Sequence, residues 1–261
     1  MNEAMLKKGS EMSPFDLGGI KKVGDLFVPL GSIASNRLIQ TYRSLTEEEI
    51  TNVLRVADAL WLHSGDSKDP HAELTSGKCS NGFVDVLRAL RFTNICDILS
   101  YCMAQKIEAE IEKRKLDDRQ SIRWVVGSDH AAAIFSQNVA RWFNVQHDFT
   151  EKGPEGTQVW KRFVIGEEEP VLQVEELMTT TGTVIAVREG IKAGNPNPVT
   201  FFPLIATLVH RSKFHFVSGV PVIYLTHYEI DVWEPQNCPL CAQGSKRLKP
   251  KTNWKELTGQ I

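Results

Sequence analysis

Two periods of apolar and polar positions alternate along this chain. From Thr46 the period is helical. Thr46-Glu47-Glu48-Glu49 has the pattern of a capping box, and Ile50, Val53, Leu54, Ala57, Leu60 and Trp61 follow at helical spacing. This predicts a helix that stops near His63-Ser64-Gly65. A second helix is expected over 94–115, where Ile95, Ile98, Leu99, Met103, Ile107 and Ile111 make one apolar stripe suited to core or dimer packing. Residues 71–85 read as strand, turn and strand, with Ser76-Gly77 at the turn. After Asp117-Asp118, short apolar runs alternate with helical segments. A strand over 124–127 precedes a helix over 131–143, and a strand is expected over 158–165. A buried-type strand over 171–174 precedes a helix over 183–191, and β-rich runs cover 200–209 and 221–225. That alternation predicts an α/β fold with a mainly parallel sheet flanked by helices. Residues 1–45 read as an irregular leader, interrupted by Gly18, Gly19 and Gly24.

Composition narrows the class. With 261 residues, 42% hydrophobic and 24% charged, the chain can bury a sizeable core. Thirty Lys+Arg against 32 Asp+Glu leave a formal charge of −2, so the basic excess of a nucleic-acid binder is missing. No uncharged apolar run approaches the ~20 residues of a membrane span, and neither partner is expected. Lys7 and Lys8 precede no apolar stretch, so no secretory signal is read there. Five cysteines spread over this length argue against a disulfide scaffold and for a reducing cytoplasm.

The chemistry concentrates in residues 171–183. Val171-Leu172-Gln173-Val174 reads as a buried strand, Glu175-Glu176 stand at its carboxyl end, and Leu177-Met178 lead into Thr179-Thr180-Thr181-Gly182-Thr183. In an open α/β sheet, ligands bind at the carboxyl ends of the strands. A helix that starts after a loop of small residues offers free N–H groups and a positive dipole end to a phosphate. The adjacent carboxylates suit sugar hydroxyls or a hydrated magnesium ion.

This segment resembles the motif by which type I phosphoribosyltransferases bind phosphoribosyl pyrophosphate (PRPP). The resemblance implies that Glu175 and Glu176 contact the ribose hydroxyls and that 179–183 hold the 5′-phosphate. Here the second acid is Glu where the family usually has Asp, and Thr181 replaces the first loop glycine, which requires a backbone without positive φ at Thr181. Leu74-Thr75-Ser76-Gly77-Lys78-Cys79-Ser80-Asn81-Gly82-Phe83 resembles the N-terminal signature of orotate phosphoribosyltransferases. On that resemblance Ser76, Lys78 and Phe83 face the base, although the usual second aromatic is Val84. Ser128, Asp129 and His130 stand where the family has its pyrophosphate loop, with His130 either facing the ligand or capping the next helix.

Lys152 lies in a Gly/Pro-containing loop over 148–156 that resembles the family's flexible, lysine-bearing loop, which closes over PRPP. A cation there would stabilise the charge that grows on the departing diphosphate. Lys161 and Arg162, on the strand expected to follow, are the second choices.

Cys238-Pro239-Leu240-Cys241 is a single C-x-x-C pair, and a zinc site needs two more ligands. His227 is the nearest upstream candidate and the other cysteines are distant in sequence. A turn with two free thiols is therefore expected, and zinc is not an expected cofactor.

The resemblance implies a fold of type I phosphoribosyltransferase form with an N-terminal extension and small hood elements. Its organisation would be an extension with a helix over 1–70, a phosphoribosyltransferase domain over 71–250 and a tail over 251–261. It further implies a homodimer that uses magnesium with PRPP, and orotate as the favoured acceptor in pyrimidine nucleotide synthesis. Transfer to another base and a non-catalytic PRPP-binding regulator are the alternatives.

Overall fold

The capping box at Thr46 closes. Its hydroxyl accepts the Glu49 N–H at 3.2 Å while the Glu49 carboxylate accepts the Thr46 N–H at 2.9 Å. The helix it starts, α1 (Glu47–Val56), buries Ile50, Val53 and Leu54. It ends before the predicted stop because Asp58 turns the chain with a φ of 58° and 60–62 leaves as strand β1 (Leu60–Leu62). The structure is a computed structural model that describes residues 44–116 and 122–259. Almost all of the expected leader, and Asp117-Asp118, lie outside the described residues.

β2 (His71–Glu73) and β3 (Cys79–Ser80) form the expected hairpin, with Gly77 at φ 80° in its turn. β4 (Gly82–Val84) pairs antiparallel with β1, and the single turn α2 (Leu87–Leu90) leads into α3 (Thr93–Arg114). There follow β5 (Trp124–Gly127), α4 (Ala131–Phe143) and β6 (Gln146–Phe149), a parallel β-α-β unit. α3 buries more than one stripe, since Cys96, Ser100, Cys102 and Ala104 are also enclosed, with α4 and the sheet covering different sides of it.

The loop expected over 148–156 is instead a short antiparallel hairpin, β7 (Glu151–Lys152) and β8 (Gln158–Val159). The strand expected over 158–165 shrinks to β8. Beyond it Trp160 and Ile165 turn inward and Phe163 and Val164 outward, so the segment packs as irregular chain. β9 (Val171–Met178), α5 (Gly182–Gly194) and β10 (Phe201–His210) make the second parallel unit, then β11 (Phe216–Val217) and β12 (Val220–His227) complete the main sheet.

The six strands run in the order β11-β12-β10-β9-β5-β6, and every neighbouring pair is parallel except β11–β12. Side-chain alternation assigns the two faces. Val125, Leu172, Val174, Leu204 and Ala206 share the core of α1, α3 and α4, whereas Trp124, Val126 and Val171 pack with Val187 and Ile191 of α5. The expected α/β architecture, a mainly parallel sheet between helices, is the one found. α1 and β1 belong to this same core, although they precede residue 71. No helix among the described residues is long and apolar enough to cross a membrane.

The hood expectation corresponds to a second sheet. β13 (Val232–Trp233), the single turn α6 (Pro239–Ala242), β14 (Arg247–Leu248) and the last helix α7 (Trp254–Thr258) close the chain, and the small sheet has the order β13-β3-β2-β14. It is tied to the carboxyl end of β12 through 228–231. The Ser80 hydroxyl donates to the Asp231 carbonyl at 2.8 Å, and the Asn81 side-chain oxygen accepts the Asp231 N–H at 2.8 Å.

Gly190 clamps the β7–β8 hairpin to α5. A Cβ there would lie 2.1 Å from the Gln158 carbonyl oxygen. We therefore expect Gly190→Ala to lower stability by ~1–3 kcal/mol, as overpacking does elsewhere. Gly182→Ala, whose Cβ would meet only the Thr180 hydroxyl at 3.6 Å, should leave the melting temperature near wild type. Thermal melts of the two variants check this.

Candidate active site at the carboxyl end of the sheet

Strand order reverses between β5 and β9: from β5 the chain moves outward to β6, then restarts with β9 on the other side. Such a switch point opens a crevice at the strands' carboxyl ends. Here the loops that leave β5 and β9 diverge, and a polar chain joins their roots. The Ser128 hydroxyl donates to Glu175 Oε2 at 2.7 Å, and the Ser128 N–H reaches the same oxygen at 3.4 Å. Gln173 Nε2 donates to Glu175 Oε1 at 2.8 Å, and Arg188 Nε donates to Gln173 Oε1 at 3.0 Å. Gly127 permits the close approach, since a Cβ there would meet the Val174 carbonyl at 2.9 Å and the Ser136 hydroxyl at 2.7 Å.

The two acids differ in circumstance. Glu175 is buried, at 2% exposure, with both oxygens occupied by the protein. Burial raises its pKa above the ordinary carboxylate value, against the pull of the Ser128 and Gln173 hydrogen bonds. The sequence reading gives both acids to the ribose, but in this arrangement Glu175 presents no free oxygen. Glu176 is half-buried at the lip, and burial, with Glu175 beside it, pushes its pKa up to about 8.

Thr179, Thr180, Gly182 and Thr183 are exposed around the start of α5, with Thr181 half-buried. Thr181 has φ −80° and ψ −12°, so the threonine takes the place of the family's glycine without strain. Thr181 makes no capping hydrogen bond at this helix start, where the Thr180 hydroxyl accepts the Gly182 N–H at 3.4 Å and the next N–H groups have no side-chain cap.

Across the switch point, Asp129 and His130 pair through Nδ1 and Oδ2 at 2.7 Å, with His130 exposed. His130 holds φ 58° and ψ −115°, a conformation that costs a non-glycine residue ~1–3 kcal/mol and clusters at functional sites. It occupies the N-cap position of α4, but its side chain makes no capping hydrogen bond, which rejects the capping alternative.

Lys152 stands exposed on β7. Its two rivals are engaged: Lys161 pairs with Glu151 at 2.7 Å, and Arg162 pairs with Glu151 and, at 3.3 Å, with Asp148. Neither rival lies on a strand, a correction that follows from the shortness of β8. Among the described residues Lys152 has no ion pair.

The base-side residues sit on or beside the small sheet. Ser76 is exposed in the β2–β3 turn, Lys78 pairs with Glu234 at 2.8 Å, and Phe83 meets Trp254 edge-to-face with centroids 6.0 Å apart. Lys78 is thus a cation already engaged.

A cation missed by the sequence reading lies closer to the switch point. Arg211 follows β10 directly, and its N–H donates to the Met178 carbonyl at 2.9 Å, next to the threonine loop. Its half-buried guanidinium has no partner among the described residues and lines a cavity of about 430 Å³ with His227, Tyr228 and Asp231. The available signal was an arginine at the carboxyl end of a buried strand. A larger cavity of about 530 Å³ lies between α1, β1 and α7, with neither the acids nor the threonine loop in its wall.

His227 is not beside Cys238 and Cys241. Its Nδ1 meets that of His210 at 2.8 Å, because β12 places it in register with His210 on β10. The cysteine pair belongs to the small sheet's neighbourhood.

The raised pKa of Glu176 sets a testable pH dependence. Between about 4.5 and about 8 the folded chain holds a proton that the unfolded chain has released, so stability falls as pH rises through that window. Glu176→Gln should remove that share of the slope. At alkaline pH we expect it to raise stability by ~1 kcal/mol, or ~2–4 °C in melting temperature. Melting curves across the window check this; equal slopes for variant and parent would refute it.

No protein-family model matches the chain. It is 30% identical over 180 residues to an orotate phosphoribosyltransferase of Caldicellulosiruptor bescii, an alignment that covers 69% of this chain and 87% of the relative. It is 29% identical over 187 residues to an orotate phosphoribosyltransferase of Thermotoga maritima, covering 72% and 92% respectively. Among solved structures, an orotate phosphoribosyltransferase from Aeropyrum pernix aligns with a TM-score of 0.41 and 16% identity, over 68% of this chain and 93% of that one.

Proposed function

The chain belongs to the orotate phosphoribosyltransferase family, and from that premise we propose that it transfers the phosphoribosyl group of PRPP to a nitrogen of orotate, releasing pyrophosphate and orotidine monophosphate. The observation that carries the reading is the meeting at one sheet edge of an acid pair, an open helix start and an unpaired guanidinium.

We assign the roles on that reading. The 5′-phosphate binds the N–H groups and hydroxyls of 179–183. Glu176 takes the ribose hydroxyls, and Glu175, held by Ser128 and Gln173, is the positioning residue that fixes the strand end beneath it. The diphosphate lies toward Ser128, Asp129 and His130 at the start of α4. Arg211 offers its free guanidinium to the orotate carboxylate, a bidentate pairing suited to a planar anion. Lys152 reaches the diphosphate when the hairpin closes, meeting charge that develops as the C–O bond breaks.

The oxygen donors of Glu176 and the threonines suit a hydrated magnesium ion carried in with PRPP, which when bound would neutralise leaving-group charge. Reaction depends on positioning and charge stabilisation, so it requires no protein nucleophile. We extend the reading to a homodimer, supported by the exposed Phe214 and Phe216, which sedimentation would test, and to a cytoplasmic setting, which five cysteines outside any disulfide suit.

Pyrophosphate release from PRPP and magnesium, measured with each free base in turn, tests the reaction. Orotate should support turnover; turnover with uracil or hypoxanthine alone would overturn the acceptor, and no turnover with any base would favour a PRPP-binding regulator. Lys152→Ala should lower kcat ~10²-fold and alter the KM for PRPP far less. Arg211→Gln should raise the KM for orotate by ~10–100-fold, the value of ~1.5–3 kcal/mol for a charged hydrogen bond. Steady-state kinetics with PRPP and orotate varied separately distinguish the two effects.

A further inference from the structure

Four sulfur and nitrogen ligand atoms converge under the small sheet. They belong to His71 on β2, Cys79 on β3, and Cys238 and Cys241 flanking the start of α6, and all lie within 4.8 Å of one another. His71 Nε2 is 3.4 Å from Cys241 Sγ and 3.7 Å from Cys238 Sγ, and Cys79 Sγ is 3.6 Å from Cys241 Sγ. A tetrahedron with Zn–S of ~2.3 Å and Zn–N of ~2.0–2.1 Å has S···S edges of ~3.8 Å and S···N edges of ~3.6 Å. The observed separations fall at those edges and far from the ~2.05 Å of a disulfide bond.

The surroundings fix the ligands in the form a metal needs. The Ser245 hydroxyl donates its one proton to the Asp69 carbonyl at 2.6 Å, so at 2.9 Å it can only accept from His71 Nδ1. That assigns the proton of the neutral imidazole to Nδ1 and turns the Nε2 lone pair toward the three sulfurs. The ring is held further by the His71 N–H, which donates to the Lys246 carbonyl at 2.8 Å. Within the C-x-x-C turn, the Cys241 N–H donates to Cys238 Sγ at 3.4 Å, so the backbone already directs a donor at a sulfur that carries negative charge in a metal complex. His71, Cys79 and Cys238 are buried and Cys241 is half-buried, which leaves little room for water as a fifth participant.

We propose that His71, Cys79, Cys238 and Cys241 bind one zinc ion in a closed, structural Cys₃His site. Three thiolates with one imidazole in tetrahedral array select zinc among common divalent ions, and four protein ligands leave no open position for chemistry. The ion would cross-link the β2–β3 hairpin to the α6 turn and so hold the small sheet, whose β2–β3 turn carries Ser76. This inference stands apart from the transferase reading, because none of its ligands is a residue assigned to PRPP or base.

Metal analysis of the full chain, purified without chelator, should find about one zinc per chain. Cys79→Ser and Cys241→Ser should each lose most of it, while Cys102→Ser, in the core between α3 and its neighbours, should retain it. So that loss of the fold in the ligand variants is distinguished from loss of the metal, a second measurement uses the unaltered chain. After removal of the metal by chelator, cobalt(II) should bind once, with the visible absorption of a tetrahedral centre and sulfur-to-cobalt charge transfer, and zinc should displace it. A folded chain without metal in which all five thiols react, a Cys79–Cys241 or Cys238–Cys241 disulfide in the purified protein, or cobalt uptake without the thiolate bands would each overturn the proposal.

Discussion

The hydrogen bond from Ser128 to Glu175 is the contact on which the candidate site depends. It spans the one gap in the main sheet's winding order, where the loops after β5 and β9 part, and it ties the root of the expected pyrophosphate loop to the acid pair. A buried carboxylate is costly unless its oxygens are satisfied. Glu175 meets that condition only with Ser128 on one side and Gln173 on the other, and Gln173 is itself fixed by Arg188 from α5. The registers of β5, β9 and α5 are thereby coupled through polar groups as well as through the apolar faces. Gly127 is the backbone side of the same constraint, since any side chain there would push β5 and α4 away from β9.

Around this fixed root, the groups assigned to ligand are the ones the protein leaves incompletely partnered. The pKa of Glu176 is raised to about 8 by its surroundings, Thr181 makes no capping bond at the start of α5, Arg211 makes no ion pair among the described residues, and His130 keeps an unfavourable backbone conformation without using its ring as a cap. The threonine loop and Arg211 both adjoin Met178, two residues beyond the acids. Such a distribution suits a substrate that is anionic at both ends and hydroxylated between them.

Much of this was legible in the sequence, because local signals decide it. The capping box at Thr46, the glycine turn at Gly77, and the strand, acid pair and threonine loop over 171–183 each lie within a few residues and form where the pattern predicts, although the strand expected over 171–174 runs on through both acids to Met178. What stayed hidden depends on tertiary placement. Leu60 and Trp61 fit a helical period, but pairing with Val84 and Phe83 draws them into a strand. The expected strand over 158–165 is cut short where α5 presses against Gln158. No spacing rule links Cys238 and Cys241 to His71 and Cys79, since the fold alone makes them neighbours. Lys78 reads as a free cation until Glu234 is brought beside it, and Arg211 gains meaning only from lying next to Met178.

The small sheet also has a kinetic consequence. β2 lies between β3, a few residues away, and β14, whose pairing is accompanied by the His71–Ser245 contact across 174 positions of sequence. Contacts of such separation close late, because the entropy of ordering the intervening chain must be offset before they give any return. During synthesis the parallel sheet through β12 can complete its hydrogen bonding while β2 still has one vacant edge. The small sheet, with Ser76 and Lys78 at its hairpin, therefore matures last, after the main sheet that carries Glu176, the threonine loop and Arg211.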